Sequence, residues 1–239
     1  MRGFFVAGTD TGVGKTEVAR ALLSLLRGAV PLKPIETGCA PEHPEDALAL
    51  LRASGGTFEL DRVCPYRFRL PAAPLVAAQA EGKTVSIERI EELVARASPN
   101  PVVVEAAGGL FVPLAREVAA LTLEQADPAE RAPAAALVTN LDLAERLGLP
   151  VLLVGRAGLG TLNHCALSAE ALARRGVELR AIVLNRVVPE DDPTVATNRR
   201  LVEELTGAVV LGPTPFVADA SARPLAIAPL LAGLVDPRR

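Results

Sequence analysis

An apolar run at the start of the chain leads into Gly8-Thr9-Asp10-Thr11-Gly12-Val13-Gly14-Lys15-Thr16, and a helical pattern follows at once. That series of strand, glycine-rich loop and helix is a phosphate-binding loop. Its glycines let successive backbone N–H groups turn inward around a phosphate, and the helix N-terminus adds its positive dipole. Lys15 reaches the β- and γ-phosphates, and the Thr16 hydroxyl can ligate Mg²⁺. The strict spacing G-x-x-x-x-G-K-[ST] asks for glycine at position 9, where this chain has Thr9, so the loop is a deviant form with its upstream glycine displaced by one. Nucleotide binding follows from the series. The reaction does not, because switches, kinases and ligases all use such a loop.

Other residues must decide the chemistry. Glu105 ends the apolar run Val102-Val103-Val104 and precedes Ala106-Ala107-Gly108-Gly109. A carboxylate there stands at the ligand-facing edge of a parallel sheet, where it can hold a Mg²⁺ shell or be simply a solvated strand-end acid. Lys33 ends the second apolar run. Of the 25 basic residues only Lys15, Lys33 and Lys83 are lysines, which marks Lys33 as a candidate cation at a reacting centre, against a surface lysine before a turn. Asp46, taken alone, reads as a first-turn acid complementing a helix dipole. With only His43 and His164, a histidine-rich metal centre or a Ser-His-Asp triad has almost nothing to draw on.

The elements that must position these groups alternate between short apolar runs and helical periodicity, the pattern of an α/β fold with a mostly parallel sheet flanked by helices. Strands are expected at 3–7, 29–33, 101–105, 150–154, 180–185 and 208–212, several of them apolar without polar alternation, as strands covered on both faces are. Helices are expected at 15–26, 45–53, 86–97, 139–147, 162–174, 193–205 and 225–234. Residues 57–84 and 116–133 do not fit simple strand–helix units. They are expected to form a lid or extra helices, with a capping-box spacing at Thr122 to Gln125. No repeat or linker divides the chain, so one domain over 1–239 is the expectation.

Composition narrows the function classes. A 50% hydrophobic content and a net charge of −3 suit a packed core and exclude disorder. Six Phe, one Tyr and no Trp, without a basic excess, leave no platform or field for nucleic acid. No apolar run approaches the ~20 residues needed to cross a bilayer, and the glycine-rich loop stands where a signal peptide would need its cleavage site. Cys39, Cys64 and Cys165 are odd in number and lack a C-x-x-C pair, so they read as packing residues. A soluble, cytoplasmic protein is expected, with no membrane and no nucleic acid as partner.

GTDTGVGKT at 8–16, LKPIETG at 32–38, EDALAL at 45–50, VEAAGGL at 104–110, GLGTLNH at 158–164 and VLNRV at 183–187 together resemble the dethiobiotin synthetases, in order and spacing across nearly the whole chain. The resemblance implies a P-loop fold, ATP as co-substrate, Mg²⁺ as cofactor, and closure of a cyclic urea from 7,8-diaminononanoate and CO₂ in biotin synthesis. It places Gly12, Val13, Gly14, Lys15 and Thr16 around the triphosphate, with Ala106, Ala107 and Gly108 beside them. Thr16, Asp46 and Glu105 would surround Mg²⁺, which reverses the modest reading of Asp46. Lys33, Lys15 and Thr11 become catalytic candidates, and Thr37 the hydroxyl that meets the diamine. Asn185, Arg186, Pro215, Phe216 and Val217 would line the adenine pocket. Gly160, Thr161, Leu162 and Asn163 correspond to the part of the partner subunit in a homodimer that holds the substrate carboxylate. A helix N-terminus suits that anion.

Two positions depart from the family pattern: Ala106 replaces a usual glycine, and Glu36 stands where a hydrophobic or other polar residue is common. His164 matches a family position but reads as a structural residue of an apolar helix. One rival is a partitioning-type ATPase switch, which shares the deviant loop but carries a signature lysine where this chain has Asp10. A closer rival is an amidoligase-like domain of the cobalamin pathway, which is joined to a glutaminase domain that these 239 residues do not accommodate.

Overall fold

The computed structural model describes residues 2–118, 135–189 and 192–235. In chain order they form β1 (Gly3–Gly8), α1 (Lys15–Leu25), β2 (Val30–Leu32), β3 (Ile35–Thr37), α2 (Glu45–Ala53), α3 (Leu60–Val63), β4 (Tyr66–Phe68), α4 (Pro74–Ala80), α5 (Ile87–Ala95) and β5 (Val102–Gly109). Then come β6 (Pro113–Val118), β7 (Ala135–Thr139), α6 (Asn140–Leu147), β8 (Val151–Arg156), α7 (Thr161–Arg174), β9 (Leu179–Asn185), α8 (Val195–Thr206), β10 (Val210–Leu211) and α9 (Arg223–Leu231).

The main sheet has the order β10-β9-β8-β1-β5-β2, and every neighbouring pair is parallel. The middles of its strands are mostly apolar because both faces are covered. Phe5, Val102, Val104, Val151, Leu153, Ile182 and Leu184 face one buried layer. Phe4, Val6, Val103, Leu152, Val154, Ala181 and Val183 face the other. The split follows the period-two alternation of a strand, and each Val, Leu, Ile or Phe among them contributes roughly 1.5 to 3 kcal/mol by leaving water. α1 carries Val18, Ala19 and Leu22 into the second layer, which fixes the loop before it against the sheet.

β1 lies at the centre, between β5 and β8. The chain leaves β1 toward β2 on one side and later returns to β8 on the other, so the loop after β1 opens at the switch point of the sheet. Ligands of open parallel sheets bind in the crevice outside the carboxyl ends at such a point. β1 and β9 therefore deliver Gly8 and Asn185 to this edge at their last residues, whereas Glu105 lies within β5, opposite Val6 of β1, because pairing carries that strand on to Gly109 and past the end expected at 105.

The expected strands and helices form with boundaries shifted by a few residues. The last strand is the exception, since only Val210 and Leu211 pair within the expected 208–212. The odd segment 57–84 holds α3, β4 and α4, with Pro74 in the first turn of α4. β4 pairs in parallel with β3 as a separate two-stranded sheet. β3 was not expected, because three residues after a proline carry no periodicity of their own and depend on a strand thirty residues away. β6 and β7 pair antiparallel, and the expected Thr122 to Gln125 capping box lies outside the described residues. α6 has a capping box of its own: Asp142 N donates to Thr139 Oγ1, and Asp142 Oδ2 accepts from Thr139 N at 2.7 Å.

Candidate active site

A cleft of about 1110 Å³ runs along the carboxyl edge of the sheet. The phosphate loop supplies Thr11, Gly12, Gly14, Lys15 and Thr16 to its wall. Lys33, Thr37, Asp46, Glu105, Ala107, Gly108, Asn185, Arg186, Pro215, Phe216 and Val217 line it as well. Residues spread over 200 positions of sequence thus meet in one space.

Gly14 precedes α1 with φ 90°, a conformation that favours glycine. It is also hemmed in, since a Cβ there would stand 2.0 Å from Asn185 Nδ2. Asn185 is buried and braces the loop: its Nδ2 donates to Val13 O at 2.9 Å, and its Oδ1 accepts from Thr214 Oγ1 at 2.7 Å. Lys15 is buried, and its Nζ donates to Asp10 O at 2.8 Å. Burial, with Lys33 close by, lowers its pKa to about 8.

Beyond the loop four polar groups converge. Lys33 Nζ donates to Glu105 Oε1 at 2.5 Å and lies 3.0 Å from Asp46 Oδ2. Thr16 Oγ1 lies 2.9 Å from Asp46 Oδ1 and 2.9 Å from Glu105 Oε1. Burial alone would depress Lys33, but the two carboxylates hold it above its ordinary range. Asp46 resists the effect of burial and lies below the usual carboxylate range, because Lys33 and Thr16 bond to it. Lys33 is 4% exposed and Glu105 1%, so neither the surface-lysine nor the solvated-carboxylate alternative holds. Asp46 does not cap its own helix either, since its carboxylate turns to Lys33 and Thr16. The arrangement can place positive charge and a hydroxyl around a transferring phosphoryl group.

Val13, Ala106 and the residues expected to serve a partner subunit lie outside this cleft. The side chains of Val13 and Ala106 belong to the buried core and not to the cleft wall. Gly160, Thr161, Leu162 and Asn163 open α7 away from the cleft, and Thr161 instead lines a second pocket of about 70 Å³ with Thr9, Asp10, Arg156 and Leu159. The Thr161 hydroxyl is buried against Cys165 Sγ at 3.4 Å, while Asn163 is exposed. His164 also lines the small pocket and is exposed. Cys64 and Cys165 are buried as expected, and Cys39 is partly so.

Sequence reasoning missed four contributors. Thr214 is buried and orders Asn185, and its Oγ1 also accepts from Arg186 N at 2.9 Å. Arg20 and Arg223 hold the loop after Phe216 by its carbonyls, Arg20 at Ala220 O and Arg223 at Val217 O. Glu36 is buried and accepts from two N–H groups of α2. Only Glu36 left a signal, as an acid standing between a candidate lysine and a candidate hydroxyl.

A family model described as an AAA domain matches residues 2–129 and 126–223. The chain is 47% identical over 245 residues to the ATP-dependent dethiobiotin synthetase BioD of Anaeromyxobacter dehalogenans strain 2CP-C, covering 99% of this chain and 100% of that protein. It is 34% identical to the protein of the same name from Bacillus subtilis strain 168, over 92% and 89% of the two chains. Among solved structures, a ParA family ATPase from Chlorobium tepidum TLS aligns with 15% identity and a TM-score of 0.48, over 100% and 93% of the chains. Identity of this order over nearly the whole of both chains leads to one assignment: the chain belongs to the dethiobiotin synthetase family.

Proposed function

We propose that the chain, working as one domain, is an ATP-dependent cyclo-ligase that joins CO₂ to 7,8-diaminononanoate and closes the ring to dethiobiotin, with release of ADP and phosphate. The observation that carries this reading is the convergence of Lys15, Thr16, Lys33, Asp46 and Glu105 on one cleft. One amine of the substrate adds CO₂ and loses a proton to give a carbamate. A carbamate oxygen then takes the γ-phosphoryl group from ATP, and the second amine attacks the carbonyl carbon and expels phosphate. None of these steps needs a protein nucleophile, which fits a site built of cations, hydroxyls and backbone amides.

Lys15 and the loop amides bind the triphosphate, and Thr11 stands at its outer side. Lys33, kept charged by Glu105 and Asp46, faces the place where the carbamate oxygens and the γ-phosphoryl group meet. Thr37, on the same wall, positions the diamine. Asn185, Arg186 and Pro215 to Val217 form the base pocket.

The donor set fits Mg²⁺. Glu105 Oε2 is buried and has no hydrogen-bond partner among the described residues, and the single Thr16 proton cannot satisfy both carboxylate oxygens 2.9 Å away. A hard cation held by Thr16, Asp46 and Glu105, its other positions filled by water and phosphate oxygens, would answer both and screen the charge on the transferring phosphoryl group. The α7 turn at Gly160 to Asn163 would hold the substrate carboxylate of a second subunit. In support, Leu159 beside it is 84% exposed, which suits a surface that another copy covers. Sedimentation is expected to give a homodimer; a fully active monomer would overturn this part.

Among the described residues no helix is long and apolar enough to cross a membrane. The deciding experiment is steady-state ADP release with ATP and Mg²⁺, adding bicarbonate and 7,8-diaminononanoate separately and together. Release that requires both supports the carboxylase reading. Release indifferent to the diamine overturns it in favour of an ATPase switch.

A further inference from the structure

The helix α2 begins without a cap of its own. Pro44 precedes it and offers no side-chain acceptor, so the N–H groups of the first turn must find acceptors elsewhere. Glu36, on β3, provides them from ten residues upstream. Its Oε1 accepts from Asp46 N at 3.2 Å and its Oε2 from Ala47 N at 2.9 Å. The side chain is 6% exposed, and its charge sits where the helix dipole favours an anion. The residue whose main chain it grips is Asp46, and the Asp46 carboxylate points the other way, to Lys33 and Thr16.

We infer that Glu36 is a positioning residue for the cation end of the cleft: by holding the first turn of α2 through two N–H groups, it fixes where Asp46 presents its carboxylate. The inference rests on the reading of Asp46 as a Mg²⁺ ligand. A shorter or apolar residue at this place would leave the part-buried N–H of Asp46 and the buried N–H of Ala47 unsatisfied and let α2 shift along its axis. The Asp46 carboxylate would move with it, away from Thr16. Supporting groups behind metal ligands commonly set affinity in this way, at a cost of about 10- to 100-fold when removed.

The test is nucleotide binding to the purified protein, titrated with a non-hydrolysable ATP analogue over a series of Mg²⁺ concentrations, for wild type, Glu36→Ala, Glu36→Gln and Asp46→Asn. Glu36→Ala should raise the Mg²⁺ concentration for half-maximal tightening about tenfold, with metal-free nucleotide affinity unchanged. Glu36→Gln, which keeps one acceptor oxygen, should fall between this variant and wild type. A lowered melting temperature with a wild-type Mg²⁺ response would make Glu36 merely structural and overturn the inference. If Glu36→Ala does not fold, an unchanged Mg²⁺ response in Glu36→Gln overturns it equally. Asp46→Asn separates the two failures. If it loses the Mg²⁺ response while the Glu36 variants keep theirs, the inference alone falls; if it too responds as wild type, the ligand reading falls and takes the inference with it.

Discussion

Lys33 Nζ stands 2.5 Å from Glu105 Oε1, and the two residues are 4% and 1% exposed. A charge pair so far from water depends on its partner more than on the solvent, so removing one member leaves the other uncompensated. Lys33→Ala should abolish turnover while ATP binding stays measurable, and should lower stability by about 3 to 5 kcal/mol in urea denaturation. Adding Glu105→Gln to that variant should return part of the loss. Wild-type turnover in Lys33→Ala would remove Lys33 from the chemistry, and strict additivity of the two changes would mean the pair is not coupled.

Glu105→Gln keeps the shape and removes the charge. Magnesium-dependent nucleotide binding should weaken by about tenfold or more, while binding without metal changes little. Titration of nucleotide at fixed Mg²⁺ concentrations measures the difference. An unchanged Mg²⁺ requirement would confine Glu105 to holding Lys33.

Gly14→Ala introduces two costs at one position. The left-handed φ of 90° disfavours a Cβ by about 1 to 2 kcal/mol, and that Cβ would sit 2.0 Å from Asn185 Nδ2. Nucleotide affinity should fall at least about tenfold, read by equilibrium titration. Asn185→Ala in the same chain should relieve the clash but not the backbone strain, so recovery should be partial. Full affinity in Gly14→Ala would show that the loop can relax away from β9.

Asp142 offers a pH test away from the cleft. Burial opposes ionisation, but the hydrogen bonds from Thr139 and the Arg175 guanidinium hold its carboxyl below the usual range. A carboxyl lowered on folding contributes stability that is present above its unfolded value of about 4 and is lost as pH falls through the folded value. Asp142→Ala should therefore cost about 1 kcal/mol at pH 7, and its melting temperature should converge on that of wild type under acid conditions. A constant gap from pH 7 to pH 3 would mean that the charge contributes nothing.

The phosphate loop is contiguous, so its glycines, lysine and threonine announce themselves within nine residues, and the apolar runs mark the parallel sheet because burial on both faces leaves no room for polar alternation. Lys33 and Glu105 are legible as charged residues that close apolar runs, and Asp46 only through the resemblance, since a first-turn acid is ordinary in a helix. β3, by contrast, exists only because β4 comes to it.

The sequence by itself therefore determined the sheet, the loop after β1 and the family, since each rests on contiguous residues or on the order of motifs along the chain. Only the tertiary structure decided which groups share a proton or a charge: that Lys33 lies between Asp46 and Glu105, that Asn185 braces Val13, that Thr161 faces Cys165 and not the cleft, and that Glu36 caps the helix carrying Asp46. Such pairings span 4 to 172 positions. Hydrogen bonds and buried charges act over a few ångströms of space, and nothing in local periodicity records which distant side chains the packing of the two apolar layers brings within that range.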